Sequence, residues 1–496
     1  MKNYLDYIKD GCAGRVEDFG IYPRSVNKIG DTTVMMSADG ENDVIVAVGP
    51  SVGLAGEQGC VGGREYMAAP LTWDNGCVLR RLFPFTAPVR VLGAKRSFGA
   101  GDRLGIATPG HIRAIRRYDA RPVFAQQSMR ELTLTDRSYK DILNSASFAV
   151  FREGYKEGYG ADGDHLKTAD EIRAALSLGY SMITLDCCSQ MRNEAESMTE
   201  AEVDAHYLPN PETEKKYLGK SFDIGGGVTL IFDAPSLRRM SLVYGEMIGY
   251  AAKIYSELFA PGKYDADFEI SIDETTTPTS PLEHFFVANE LRGRGVRFAT
   301  LAPRFVGEFQ KGVDYIGNLD ELQKQMRVHA AIARHFGYKL SLHSGSDKFS
   351  VFTMYGRETR GNFHVKICGT NWLEAMKVAA IKEPELYREV HRFALEVFAE
   401  AKKYYHVTTD LSKVPDIGRL TDEELPALFL QNDARQLIHI TYGSILTAKN
   451  TDGTPRFRDR LYRLWRKELE FYTENIEKHV GRHLELLYGD RSVWPE

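Results

Sequence analysis

The chain has 496 residues, 43% of them hydrophobic and 26% charged, with 63 lysines and arginines against 68 aspartates and glutamates for a formal net charge of -5. That is the balance of a globular protein long enough for two or three domains, or for one barrel with additions. It gives no reason to expect nucleic acid or an anionic membrane as a partner, and no run of eighteen apolar residues marks a membrane span. The first ten residues, M-K-N-Y-L-D-Y-I-K-D, are amphipathic and charged and lack the apolar stretch of a signal peptide. Six cysteines in so long a chain are no disulfide framework. Cys187 and Cys188 are adjacent and none falls in a C-x-x-C pair, which argues against a structural zinc knot and fits a reducing cytoplasm.

Up to about residue 115 the chain is rich in glycine and β-branched residues, in runs such as Thr32–Met36, Asp43–Val48, Val89–Leu92 and Arg103–Ala107. Asp39-Gly40 and Asn75-Gly76 read as turns between them. Residues 1–115 are therefore expected to form a β-rich N-terminal domain. Gly59, Gly62 and Gly63 flank Cys60, but no strand–loop–helix phosphate motif follows, so they are read as turns.

From about Ala120 short apolar runs alternate with helical stretches, the rhythm of parallel strands joined by helices. Seven strands are predicted at Pro122–Gln126, Gly158–His165, Met182–Cys187, Asp267–Asp273, Val296–Pro303, Lys339–Ser344 and Phe363–Gly369. Leu437–Tyr442 is the candidate for an eighth, with a helix as the alternative. Seven or eight βα units point to a TIM-like (β/α)8 barrel over residues 116–450, with an open doubly wound sheet as the rival. The acidic stretch Asn193–Lys216 reads as an insertion over one loop, and Ser236–Phe259 as an amphipathic helix. Residues 451–496 are expected to be added C-terminal helices, of which Trp465–Leu487 carries many charges.

Polar residues gather where the predicted strands end, which in a barrel is the chemical face. Y-G-A-D-G-D-H-L-K-T (159–168) places Asp164 and His165 at a strand-to-helix turn, where an aspartate can move a proton and an imidazole can bind a metal. In D-F-E-I-S-I-D-E, strand alternation puts Glu269, Ser271 and Asp273 on one face and Phe268, Ile270 and Ile272 on the other. A carboxyl buried among apolar residues should have a raised pKa, which suits Glu269 to donating a proton. After the next apolar run come Arg304, Glu308, Gln310 and Lys311. Arg304 could clamp a substrate carboxylate, and Glu308 or Gln310 could offer oxygen to a metal. K-L-S-L-H-S-G-S-D-K ends a strand on His343. Ser344–Asp347 resemble a helix start whose free N–H groups can bind an anion, with Lys348 beside them. Two histidines and one oxygen from separate strands would leave open positions on a divalent metal able to polarise a carbonyl. His329 and His335 lie within a helix. His479 and His483 form an H-x-x-x-H pair without the glutamate of H-E-x-x-H and are read as packing residues.

Four segments in order, Y-G-A-D-G-D-H-L-K-T, D-F-E-I-S-I-D-E-T, L-A-P-R-F-V-G-E-F-Q-K-G-V-D-Y and L-S-L-H-S-G-S-D-K-F-S, resemble the bacterial tagaturonate/fructuronate epimerases over most of the chain. The resemblance implies a metal-dependent epimerase of hexuronate catabolism on an aldolase-like barrel, interconverting D-tagaturonate and D-fructuronate. It implies Asp164 as proton acceptor, Glu269 as proton donor, and His165, Gln310 and His343 as ligands of a divalent cation such as zinc, manganese, nickel or cobalt. Chemistry on a sugar acid further calls for a carboxylate clamp, for which Arg304 and Lys348 are the candidates. A homo-oligomer stays open. The other readings are a class II aldolase or ketose isomerase on the same barrel, and a non-catalytic aldolase-accessory subunit, since a barrel by itself does not guarantee activity.

Overall fold

The computed structural model describes residues 3–40, 42–260 and 262–495. Eight parallel strands close into a barrel with neighbours in chain order: Arg96–Ala100, Arg121–Ser128, Gly160–Leu166, Met182–Asp186, Asp267–Ile272, Thr300–Pro303, Lys339–Leu342 and Phe363–Ile367. A five-stranded antiparallel sheet precedes the barrel, in the order Asn27–Ile29, Thr32–Asp39, Asn42–Val48, Arg64–Pro70, Glu57–Val61. The expected TIM-like barrel with a β-rich N-terminal sheet is what the chain forms.

Two compact units divide the chain, one from Met1–Val89, Ala100–Ala161 and Cys368–Arg482, the other from Arg90–Gly99, Asp162–Ile367 and His483–Glu496. In the first, the antiparallel sheet is buried on both faces, as strand alternation requires of two apolar sets. Val34, Met36, Ile45 and Ala47 pack in one cluster with Phe148 and Phe151 of the helix Tyr139–Glu153. Met35, Val46 and Val48 pack in another with Tyr4, Tyr7 and Ile8 of the helix Tyr4–Lys9.

The second unit carries most of the βα repeats. Two of its helix starts are signposted in sequence: Thr168 and Glu171 form a capping box on Ala169–Ser177, and Ser280 and Glu283 another on Pro281–Gly293. The expected amphipathic helix runs Ala234–Leu258 and buries Leu237, Met240, Val243, Tyr244, Met247, Ile248, Ala251 and Ile254, spaced by three or four residues. The acidic stretch folds into the helices Glu200–His206 and Pro211–Tyr217. Tyr217 is buried and donates to Glu290 at 2.8 Å, which ties this insertion to the helix Pro281–Gly293.

Four local expectations differ from the structure. The remaining strand is Arg96–Ala100, not Leu437–Tyr442, which lies in the helices Asn432–Ile440 and Tyr442–Thr447. R-S-F-G-A has no β-branched side chain to mark it, whereas Ala434, Leu437, Ile438, Ile445 and Leu446 keep a helical spacing of apolar residues. Arg103–Ala107 is no strand because the Asp102 carboxylate collects the N–H groups of Leu104, Gly105, Ala107 and Thr108 and starts the helix Thr108–Ile115. Val89–Leu92 is no strand either, since the Val91 and Leu92 N–H groups donate to Asp267. Asn75-Gly76 falls inside the helix Trp73–Leu82, capped by Thr72.

At the N-terminal end of the seventh strand Lys339 is buried and donates to the Ala94 carbonyl at 2.9 Å and to Ser97 Oγ at 2.7 Å. Burial pushes its ammonium down to about 7. Between about pH 7 and the ordinary lysine range the unfolded chain therefore binds one more proton here than the folded chain, and stability rises with pH across that window. Melting temperatures of the parent and Lys339→Met should show the difference moving in the parent's favour from pH 7 to 10. A pH-independent difference would show that Lys339 is charged in the fold.

Candidate active site

The functional side chains come from the C-terminal ends of barrel strands in the second unit. The third strand does not run regularly to its end: its pairing with the fourth slips between Gly163 and Leu166, and His165 sits at φ 56°. That left-handed conformation costs a non-glycine residue on the order of 1–3 kcal/mol. Its effect is that neighbouring residues, which a regular strand would point to opposite faces, both serve one site: His165 Nδ1 lies 2.8 Å from Asp164 Oδ1.

On the fifth strand Glu269 is fully buried and faces inward as strand alternation predicts. Its carboxylate accepts from Thr300 at 2.5 Å and Thr184 at 3.1 Å, and lies 2.8 Å from His343 Nε2. Asp273, just beyond the same strand, accepts from Ser271 and lies 3.2 Å from His343 Nδ1 and 3.6 Å from His165 Nε2. The imidazoles of His165 and His343 stand with ring centroids 5.0 Å apart. One ligand atom each from His165, Asp273 and His343 lies within 4.8 Å of the others.

This donor set fits a first-row divalent cation: two imidazole nitrogens and one carboxylate oxygen. The ring nitrogens facing away from Asp273 meet Asp164 and Glu269, the carboxylate–histidine arrangement that orients metal-binding imidazoles. Asp273 is the carboxylate within reach of both imidazoles, a residue that spacing alone did not single out as a ligand.

Lys366, on the eighth strand, was not singled out in the sequence. Its buried ammonium lies 2.7 Å from Asp162, 2.9 Å from Asp164, 2.7 Å from Glu269 and 2.5 Å from Thr184 Oγ1. The signal was available: in F-H-V-K-I, alternation puts His364 and Lys366 on one face, and a lysine inside a buried strand needs a counter-charge. Lys366 also overturns the expected raised pKa of Glu269. Burial pushes that carboxyl upward, but Lys366 and His343 outweigh it and hold it well below the usual range. Burial likewise pushes Asp164 upward, and Lys366 with His165 outweighs it. Asp162 is the exception, raised to about 6 by burial that Lys366 only partly offsets.

The remaining expected residues lie on the loops beyond. Arg304 is tied to the loop after the fifth strand, donating from its guanidinium to the Thr275 carbonyl and from its N–H to Thr279 Oγ1 at 3.1 Å. Gln310 is buried, while Glu308 is half-buried and pairs its backbone with Ile316. Lys348 is fully buried, and its ammonium donates to the carbonyls of Gln310, Val313 and Ser346 at 2.8, 2.7 and 2.9 Å. An ammonium has three donors, so Lys348 fastens these loops together instead of clamping a substrate. The helix start after Asp347 is not an open anion site either, because the Asp314 carboxylate accepts from the Ser350 N–H at 3.1 Å.

Fold and site together define an α/β-barrel protein whose carboxylates, a buried lysine and two imidazoles gather at one end of the strands. A sequence model of tagaturonate epimerase matches residues 22–487. A tagaturonate/fructuronate epimerase of Thermotoga maritima is 41% identical over 478 residues, 95% of this chain and 97% of the relative. The native crystal structure of a fructuronate-tagaturonate epimerase from Cohnella laeviribosi is 47% identical, covers 98% of both chains and superposes with a TM-score of 0.92. A glycerol complex of that protein gives 46% identity, 98% and 99% coverage and the same TM-score. The chain belongs to the tagaturonate epimerase family and is a carbohydrate epimerase, an enzyme of the isomerase class. Among the described residues no helix is long and apolar enough to cross a membrane.

Proposed function

We propose that this enzyme interconverts D-tagaturonate and D-fructuronate by breaking and re-forming a carbon–carbon bond at this centre, with a divalent cation held by His165, Asp273 and His343. The resemblance adds Gln310 to that set. The observation that carries the reading is the pair of imidazoles that each turn one ring nitrogen to Asp273 and the other to a carboxylate.

The two sugar acids differ at one hydroxyl-bearing carbon β to the ketone. Its C–H is not acidified by the carbonyl, so enolisation cannot invert it, but a retro-aldol step can. A cation bound here supplies Lewis acidity to the ketone end of the substrate. Asp164 takes the proton from the hydroxyl of the carbon to be inverted. The bond between that carbon and its neighbour breaks, leaving an aldehyde acid, and the electron pair passes to the ketone-side fragment as an enediolate. The aldehyde turns its other face, the bond re-forms, and Glu269 returns a proton to the new alkoxide. Both carboxylates rest ionised, so the proton that Asp164 takes up passes to Glu269 before the bond re-forms, and the proton count closes without an outside acid. Arg304 is the cation left to meet the substrate carboxylate, since Lys348 is committed to backbone carbonyls.

Turnover in deuterium oxide tests the route. The hydrogen on the inverted carbon should be retained in full, and traces of dihydroxyacetone and a three-carbon aldehyde acid should accumulate. Solvent deuterium at that carbon would rule the retro-aldol step out.

A further inference from the structure

Three acidic side chains, Asp162, Asp164 and Glu269, converge on one nitrogen, Lys366 Nζ, at 2.7, 2.9 and 2.7 Å. All four side chains are buried, so water does not screen the repulsion among the carboxylates. Asp164 and Glu269 are also the two residues to which the proposed reaction gives opposite proton-transfer duties. Each reaches Lys366 through one oxygen and an imidazole as well: Asp164 Oδ1 meets both Lys366 and His165, and Glu269 Oε1 meets both Lys366 and His343. Threonines complete the frame, Thr184 beside Asp162, Glu269 and Lys366, and Thr300 on the other oxygen of Glu269. Removing the ammonium would leave three buried carboxylates without their shared cation.

We propose that Lys366 is a positioning residue of the epimerisation: its ammonium pins the base and the acid around one point, so that both address the same substrate carbon. Asp162 is the third leg of this support. It faces Lys366 and Thr184 and fixes the ammonium without any proton-transfer duty of its own. The inference rests on the reading of Asp164 and Glu269 given under the proposed function. A displacement of about 1 Å in either carboxylate is enough to cost on the order of 100-fold in rate, while binding of the sugar through the cation and Arg304 is left in place.

Two variants and the parent separate the outcomes. The parent is first assayed for conversion of tagaturonate to fructuronate; if it fails, the functional reading falls and Lys366 is not at issue. With an active parent, Lys366→Met should keep its stoichiometric divalent cation and a KM within about threefold, while kcat falls about 100-fold or more. In Lys366→Met, Asp164 and Glu269 keep His165 and His343 beside them, whereas Asp162 loses Lys366, so Asp162→Asn/Lys366→Met should regain much of the melting temperature that the single variant loses without regaining kcat. If the double variant recovers kcat along with stability, Lys366 is only a counter-ion to Asp162 and the proposal is wrong. It is equally wrong if Lys366→Met alone keeps more than a tenth of the parent kcat, or if neither variant folds, which would make Lys366 a structural ion.

Discussion

His165→Ala is expected to lose the bound divalent cation and the epimerase activity together. The imidazole turns Nε2 toward Asp273 and holds Asp164 through Nδ1, so its removal would take an imidazole ligand from the proposed cation and a partner from the proposed base. A cation polarising a carbonyl is worth several kcal/mol, and each 1.36 kcal/mol is tenfold, so kcat/KM should fall by about 1,000-fold or more. Metal content by elemental analysis and activity on tagaturonate are the paired measurements. A variant that turns over normally with no bound cation would dismiss the metal. One that keeps both would place the site elsewhere. The substitution leaves an alanine at φ 56°, so melting temperature is recorded alongside to separate backbone strain from ligand loss.

Glu269→Gln should be the second large effect. The side chain keeps its size, but the charge that meets Lys366 and His343 is gone and the amide cannot carry a proton to an alkoxide. General acid–base groups contribute about 100- to 10,000-fold, and a loss in that range in kcat is expected while the cation stays bound. Asp164→Asn should show a loss of the same order. Since epimerisation runs both ways, each variant should slow the two directions by the same factor, leaving the tagaturonate-to-fructuronate ratio at equilibrium unchanged. Activity above a tenth of the parent would take the mutated residue out of the proton transfers.

Much of this centre could be read before any coordinates because barrel strands are apolar runs closed by polar residues. Asp164, His165 and His343 stand at such closures, and the alternation that turned Glu269 inward within its strand also placed Asp273 on its face. What was out of reach is anything depending on which strands are neighbours. Lys366 is 202 residues from Asp164 along the chain yet 2.9 Å away in space, so the sign of the Glu269 pKa shift could not be had from its own apolar flanks. Lys348 looked like an anion-binding lysine beside a helix start. Only the path of the loop that carries Gln310 and Val313 shows its ammonium already engaged. Arg96–Ala100 stayed hidden for a different reason: five residues with a central phenylalanine and a glycine carry too little pattern to announce a strand.

The slip in pairing between Gly163 and Leu166 has a consequence for anyone wishing to transplant this chemistry. Copying the side chains onto an ideal scaffold would fail, because a straight ribbon can present either Asp164 or His165 to the interior but never the two at once. A donor barrel would have to import the kink along with the chemistry. By the same token, shortening the parent by one residue anywhere from 163 to 166 would force a choice between holding the ion and handling the proton.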